Sequence, residues 1–169
     1  MIELIQSLKQ QILELRHQKK VDFNRTVSVG DLLTDRWERA TFEGWGEHSS
    51  CYDNVLVLGR VKVGRHTWIG PNCILDGSGG ILEIGDYCSI SSGVHIYTHN
   101  TVAWSTSMGA KPIEKASTKI GSGVYIGPNT VIQMGVSVGD RAVIGAMSFV
   151  NRDIPADAKA WGCPARLQK

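Results

Sequence analysis

Proline is scarce in this 169-residue chain, with five, and aromatic residues make up only 7% of it. Charge of neither sign dominates, because 18 Lys and Arg stand against 16 Asp and Glu. That balance gives no basis for nucleic-acid or membrane-surface binding. No run approaches the roughly 18 uninterrupted apolar residues of a membrane-spanning helix. The four cysteines, Cys51, Cys73, Cys88 and Cys163, have no CxxC or other metal-ligand spacing, so reduced structural thiols are expected. Residues 1–20 mix Glu3 and Glu14 into an apolar pattern without the layout of a signal peptide, and a cytoplasmic location is expected.

Glycine, in contrast, is plentiful at 19, which suits many tight turns. The glycines follow a period. A large aliphatic residue returns every six positions at Val63, Ile69 and Leu75, then at Ile84, Ile90 and Ile96. It resumes at Ile120, Ile126, Ile132, Val138, Ile144 and Val150. Glycine follows it at 64, 70, 85, 121, 127, 139 and 145. Four positions after the aliphatic residue comes something small or β-branched: Thr67, Cys73, Cys88, Val94, Val124, Thr130, Val136, Ala142 and Ser148.

Each hexad supplies a short strand and a corner, and three hexads close one triangular coil. Aliphatic side chains then stack inward from coil to coil, small side chains fill the corners, and glycine admits backbone conformations that a Cβ resists. Cys73 and Cys88 read as corner fillers. Two irregularities interrupt the run. "DGSGG" at 76–80 adds about three residues, and the stretch from Ile96 to Ile120 keeps the phase while losing the glycine motif. Residues 100–118 carry Lys111, Glu114 and Lys115 and read as a loop leaving the scaffold, a common place for function.

At the ends the organisation changes. Ile5, Leu8, Ile12 and Leu15 share one face of a helix expected over 1–20, lying on its own domain or on a neighbouring subunit. Residues 21–54, aromatic and irregular, are expected to cap the first coil, with a contribution to an acceptor pocket as the alternative. The β-helix is expected over 55–155 and a tail over 156–169.

The hexads, "IGDYCSISSGVHIYTHNT" at 84–101 and "IGAMSFVNRDIPADAKAWGCPARL" at 144–167 together resemble the hexapeptide-repeat acyltransferases, most closely their sugar O-acetyltransferase branch. The resemblance covers about residues 55–167. It implies an all-β fold, a left-handed parallel β-helix of hexapeptide repeats with an N-terminal α-helix and a protruding loop. It also implies a homotrimer with acetyl-CoA as co-substrate between adjacent β-helices.

In this family the catalytic histidine stands where the extended loop begins, a position that falls on His99. A neutral imidazole there takes the proton from an attacking hydroxyl or amine. His95 lies inside the regular run, at an outward position, and is at most a neighbour that tunes the site. Asp76 opens the insertion where related enzymes place an acid near the acceptor, although an Asp-Gly turn explains it as well. With His95 and Trp104 it is expected on the acceptor side. The CoA side is expected at Ala146, Asn151, Arg152, Arg166 and Lys169. Tyr125 and Pro128 depart from the galactoside branch.

The expected activity is acetyl transfer to a sugar hydroxyl in surface polysaccharide assembly, with a sugar or nucleotide-sugar acceptor and no metal. An amino sugar is the alternative acceptor. The rivals are a carbonic anhydrase-like metalloenzyme using His66, His95 and His99, and a non-catalytic assembly module.

Overall fold

A computed structural model describes residues 1–168, so the expectation for Lys169 lies outside the described residues. The scaffold is a parallel β-helix whose short strands stack in register from coil to coil. One face stacks Ser50–Cys51, Trp68–Ile69, Ser89–Ile90, Tyr125–Ile126, Val143–Ile144 and Lys159–Gly162. An antiparallel strand, Ala165–Leu167, closes this face at its C-terminal end. A second face carries the ladder Val57, Leu75, Ile96, Ile132 and Val150. A third carries Val63, Ile84, Ile120 and Val138, ending in a bridge to Ile154. Leu56–Val63 and Ile74–Ile84 bend round a corner and serve the second and third faces together.

The six-residue period therefore becomes three interior columns. All twelve aliphatic positions are buried, at no more than 6% exposure. Fully burying each such side chain contributes about 1.5–3 kcal/mol of transfer free energy. The corner positions do more than save space. Thr67 Oγ1 donates to the Gly85 carbonyl at 2.8 Å, Cys88 Sγ to Gly121 at 3.0 Å and Thr130 Oγ1 to Gly145 at 3.0 Å. A buried hydroxyl or thiol at the corner thus ties one coil to the next, satisfying a carbonyl that burial would otherwise leave costly.

The glycines after the aliphatic residues work differently from expectation. None of them has a positive φ; the left-handed turn positions lie two residues further on and include His66, Asn72, Tyr87, Asn129, Arg141 and Met147. Close approach is what requires glycine. A Cβ on Gly70 would sit 2.8 Å from Ser92 N and 2.9 Å from Ser91 C, both backbone atoms of the next coil.

The insertion is visible as a step in register. Partners are offset by 18 residues at Gly59↔Gly77 and by 21 at Val61↔Leu82. Residues 99–115 leave the scaffold as an antiparallel pair, His99–Asn100 with Glu114–Lys115. Among the described residues four helices complete the fold: α1 (Ile2–Phe23), α2 (Val29–Leu33), α3 (Arg36–Phe42) and, inside the loop, α4 (Val102–Thr106). Residues 21–54 are more ordered than expected. Ser28 caps α2 and Asp35 caps α3 by accepting N–H bonds, and α3 buries Ala40 near the first strand. α1 buries no residue, so its apolar stripe does not lie on its own domain. No helix is long and apolar enough to cross a membrane among the described residues.

Candidate active site

The site forms at the corner between the second and third faces, where the insertion and the base of the loop meet. The insertion folds back against the segment that follows Ile96. Gly79 N donates to Thr98 Oγ1 at 3.0 Å, and a Cβ on Gly79 would lie 2.6 Å from His99 Cβ. Ile81 N donates to Ser117 Oγ at 3.1 Å, and Thr118 Oγ1 to the Tyr97 carbonyl at 2.7 Å. Both ends of the loop are therefore fastened to the scaffold. The small residues of "DGSGG" permit that close contact.

This packing brings Asp76 under His99. Asp76 Oδ2 lies 2.6 Å from His99 Nδ1. Asp76 Oδ1 accepts the Ser78 N–H at 3.0 Å and the Ser78 hydroxyl at 2.5 Å. Asp76 is fully buried, whereas His99 keeps a third of its side chain exposed. Burial pushes the Asp76 carboxyl up, yet the two Ser78 bonds and the His99 charge outweigh it and hold the group below its usual range. An ionised Asp76 can only accept, so its contact favours the tautomer with the proton on Nδ1, which leaves the Nε2 lone pair to act as a base.

The expectation for Asp76 is thereby redirected. Its oxygens are turned inward to Ser78 and His99, and it has no surface to offer acceptor hydroxyls. Ser78 was not anticipated, and its only sequence signal was membership of the insertion. His95 points outward from the second face, its Nδ1 3.4 Å from the Tyr97 hydroxyl, and among the described residues it makes no hydrogen bond or ion pair with Asp76 or His99. Trp104 stands on α4 in the protruding loop, about half exposed.

The CoA-side residues fall into two groups. Asn151 and Arg152 follow Val150, which stacks on Ile132 and then Ile96, so they share the His99 corner. Two coil steps separate them from it, about 10 Å at the usual strand spacing. Ala146 lies at the corner between the first and second faces, and Arg166 lies on the closing strand opposite Trp161. Among the described residues neither Arg152 nor Arg166 is in an ion pair. Arg166 Nη1 donates to the Ala165 carbonyl at 2.9 Å, and the remaining N–H groups of a guanidinium with no carboxylate partner suit phosphate. His66 occupies the remaining corner, so within one chain it does not converge with His95 and His99. Among the described residues no group of three or more His, Cys, Asp or Glu side chains is placed to hold a metal.

Comparison with known proteins agrees with this architecture. The sequence profile of the bacterial transferase hexapeptide family (six repeats) matches residues 117–152. A candidate acetyltransferase of Staphylococcus aureus (strain MRSA252) is 33% identical over 164 residues, covering 91% of this chain and 74% of that protein. Galactoside O-acetyltransferase of Escherichia coli (strain K12) is 50% identical over 48 residues, but the match spans only 28% of this chain and 24% of the enzyme. Among solved structures, the hexapeptide-repeat acetyltransferase of Vibrio cholerae O1 biovar eltor in complex with acetyl coenzyme A is similar, with a TM-score of 0.68 and 26% identity. That similarity covers 95% of this chain and 87% of the other.

Proposed function

This chain belongs to the hexapeptide-repeat acyltransferases and is an acetyltransferase of that family, and from that premise we propose that it moves the acetyl group of acetyl-CoA to a sugar hydroxyl with His99 as general base. The observation that carries the reading is the Asp76–His99 pair at the root of the protruding loop. Acetyl-CoA supplies the thioester. The acceptor oxygen attacks its carbonyl carbon while His99 Nε2 takes the hydroxyl proton. As the C–S bond breaks, the same proton passes to the departing sulfur, giving the acetyl ester and CoA. Asp76 keeps the imidazole in the required tautomer and stabilises its charged form.

Support for acetyl-CoA comes from the Vibrio cholerae acetyltransferase complex and from Arg152 and Arg166, neither of which has a carboxylate partner among the described residues. In this reading Asn151 and Arg152 receive CoA on the His99 corner, with Ala146 and Arg166 completing the contact from the next corner. A homotrimer built on the second face would place its acceptor against His95, Trp104 and the loop, and surface polysaccharide assembly is the proposed setting.

The test is CoA release from acetyl-CoA with a panel of free sugars, nucleotide sugars and amino sugars, wild type against His99→Ala. Turnover on a hydroxyl acceptor that falls by about a hundredfold or more in the variant supports the reading. Turnover that survives the substitution removes His99 and promotes His95. Activity confined to amino sugars replaces the hydroxyl acceptor with an amine.

A further inference from the structure

The N-terminal cap holds two adjoining cavities, of about 170 Å³ and about 560 Å³, that share a wall formed by Arg25, Arg36 and Trp37. Phe23 and Tyr52 line the smaller one, whereas His48, His66 and Trp68 line the larger. The larger lies against the first face and the corner that carries His66, the smaller among the helices beside Tyr52, and neither is lined by residues of the corner that carries His99.

The charges in this wall are unequal in availability. Asp31 and Asp35 also line the smaller cavity, but both Asp31 oxygens and one Asp35 oxygen are committed to the cap itself. Asp31 accepts from the Asp53 N–H and from the Ser28 hydroxyl, both at 2.9 Å. Asp35 Oδ1 accepts the Trp37 and Glu38 N–H groups at 2.9 and 3.1 Å. Among the described residues neither Arg25 nor Arg36 makes an ion pair. The Arg36 guanidinium stacks on Trp37 at 4.9 Å and on Tyr52 at 4.6 Å from the ring centroids. With its faces covered by rings, the group keeps its N–H edge for a ligand, and that planar fork matches phosphate oxygens.

Flat surfaces complete the wall. Trp37 is 49% exposed and Trp68 64% exposed. His48 stacks on His66 at 4.7 Å, and His66 on Tyr87 at 4.6 Å, so the larger cavity is bounded by a column of rings. Phosphate-binding forks beside open aromatic faces suit a ligand that combines a diphosphate with a heterocyclic base, since stacking on an aromatic side chain is worth about 1–3 kcal/mol per base.

We propose that the N-terminal cap is a binding site for a nucleoside diphosphate moiety, with the phosphates on Arg25 and Arg36 and the base stacked on Trp37 or Trp68. The moiety belongs to an activated sugar, because the phosphates of CoA are assigned above to the C-terminal coils. The site is independent of the His99 chemistry, so either can fail without the other.

Titration calorimetry on the full chain tests it with ADP, UDP and inorganic pyrophosphate, each on wild type, His99→Ala, Arg25→Gln and Arg36→Gln. Nucleoside diphosphates are expected to bind at least tenfold more tightly than pyrophosphate. Each arginine change is expected to weaken them at least tenfold, while His99→Ala leaves them unchanged. The exposed Arg25 serves as the variant that leaves the Tyr52 stack intact. UDP preferred, with no displacement by CoA, supports a sugar nucleotide, whereas ADP preferred and displaced by CoA overturns that source and moves the CoA site to the cap. No binding, binding that survives both arginine changes, or pyrophosphate binding as tightly as the nucleotides overturns the proposal.

Discussion

Asp76 and His99 are 23 residues apart in sequence, yet Oδ2 of one lies 2.6 Å from Nδ1 of the other. The scaffold creates this meeting. Coil stacking places Asp76 one step below Tyr97, and the insertion then folds the chain back beneath the start of the loop. A buried anion held by Ser78 is fixed in place before any ligand arrives, so the imidazole above it is preorganised.

Asp76→Asn removes the charge while keeping the shape. The amide can present its oxygen or its NH2 to Nδ1, and the NH2 arrangement favours the unproductive tautomer. We expect kcat for acetyl transfer to fall by about ten- to a hundredfold with little change in the KM for acetyl-CoA, as for loss of a group acting only through the base. A KM effect without a kcat effect would place Asp76 in binding instead.

The same carboxylate links stability to acid. Its folded-state pKa is depressed, so its contribution is present above the ordinary carboxyl pKa of about 3.9 and is lost as pH falls through the lower, folded value. Urea midpoints at pH 6 and near pH 3 should therefore drop further in wild type than in Asp76→Asn. Parallel losses in the two proteins would mean that the group carries no such linkage.

Much of the fold was legible because the period of six maps directly onto buried columns: the aliphatic ladder from Val63 to Val150 and the corner residues from Thr67 to Ser148 are all interior. The left-handed turn positions were not legible. Tyr87, Arg141 and Met147 are poor candidates by residue type, and the stacked coils impose that conformation on them. The helices of the cap did leave a signal, Ser28 three residues before Asp31 and Asp35 three before Glu38, that the aromatic composition of the segment obscured. At the site, the broken phase pointed to Asp76, and the loop together with the family resemblance pointed to His99. What Asp76 faces depends on where three extra residues fold, and no period encodes that.

Gly70→Ala tests the claim that the corner glycines serve coil spacing. The new Cβ would meet Ser92 N at 2.8 Å, Ser91 C at 2.9 Å and Ile90 O at 3.0 Å. Backbone atoms cannot rotate away as a flexible side chain can, so the coils must shift. A loss of about 1–3 kcal/mol is expected by urea denaturation, with the m-value unchanged. A neutral result would show that the stack yields at no cost.

The thiols give a final test of how tightly the corners close. Burial pushes Cys51 up to about 12 and Cys73 up to about 11, and raises Cys88 as well. Because the thiolate is the reactive species, these three should be inert at neutral pH, while the exposed Cys163 reacts. An aromatic disulfide reagent should therefore titrate one thiol in the native protein, all four in denaturant, and none in native Cys163→Ser. Fast labelling of a second native thiol would mean that a corner opens, since Cys73 and Cys88 hold carbonyls of the adjoining coil at 3.1 and 3.0 Å and cannot be reached while those contacts stand.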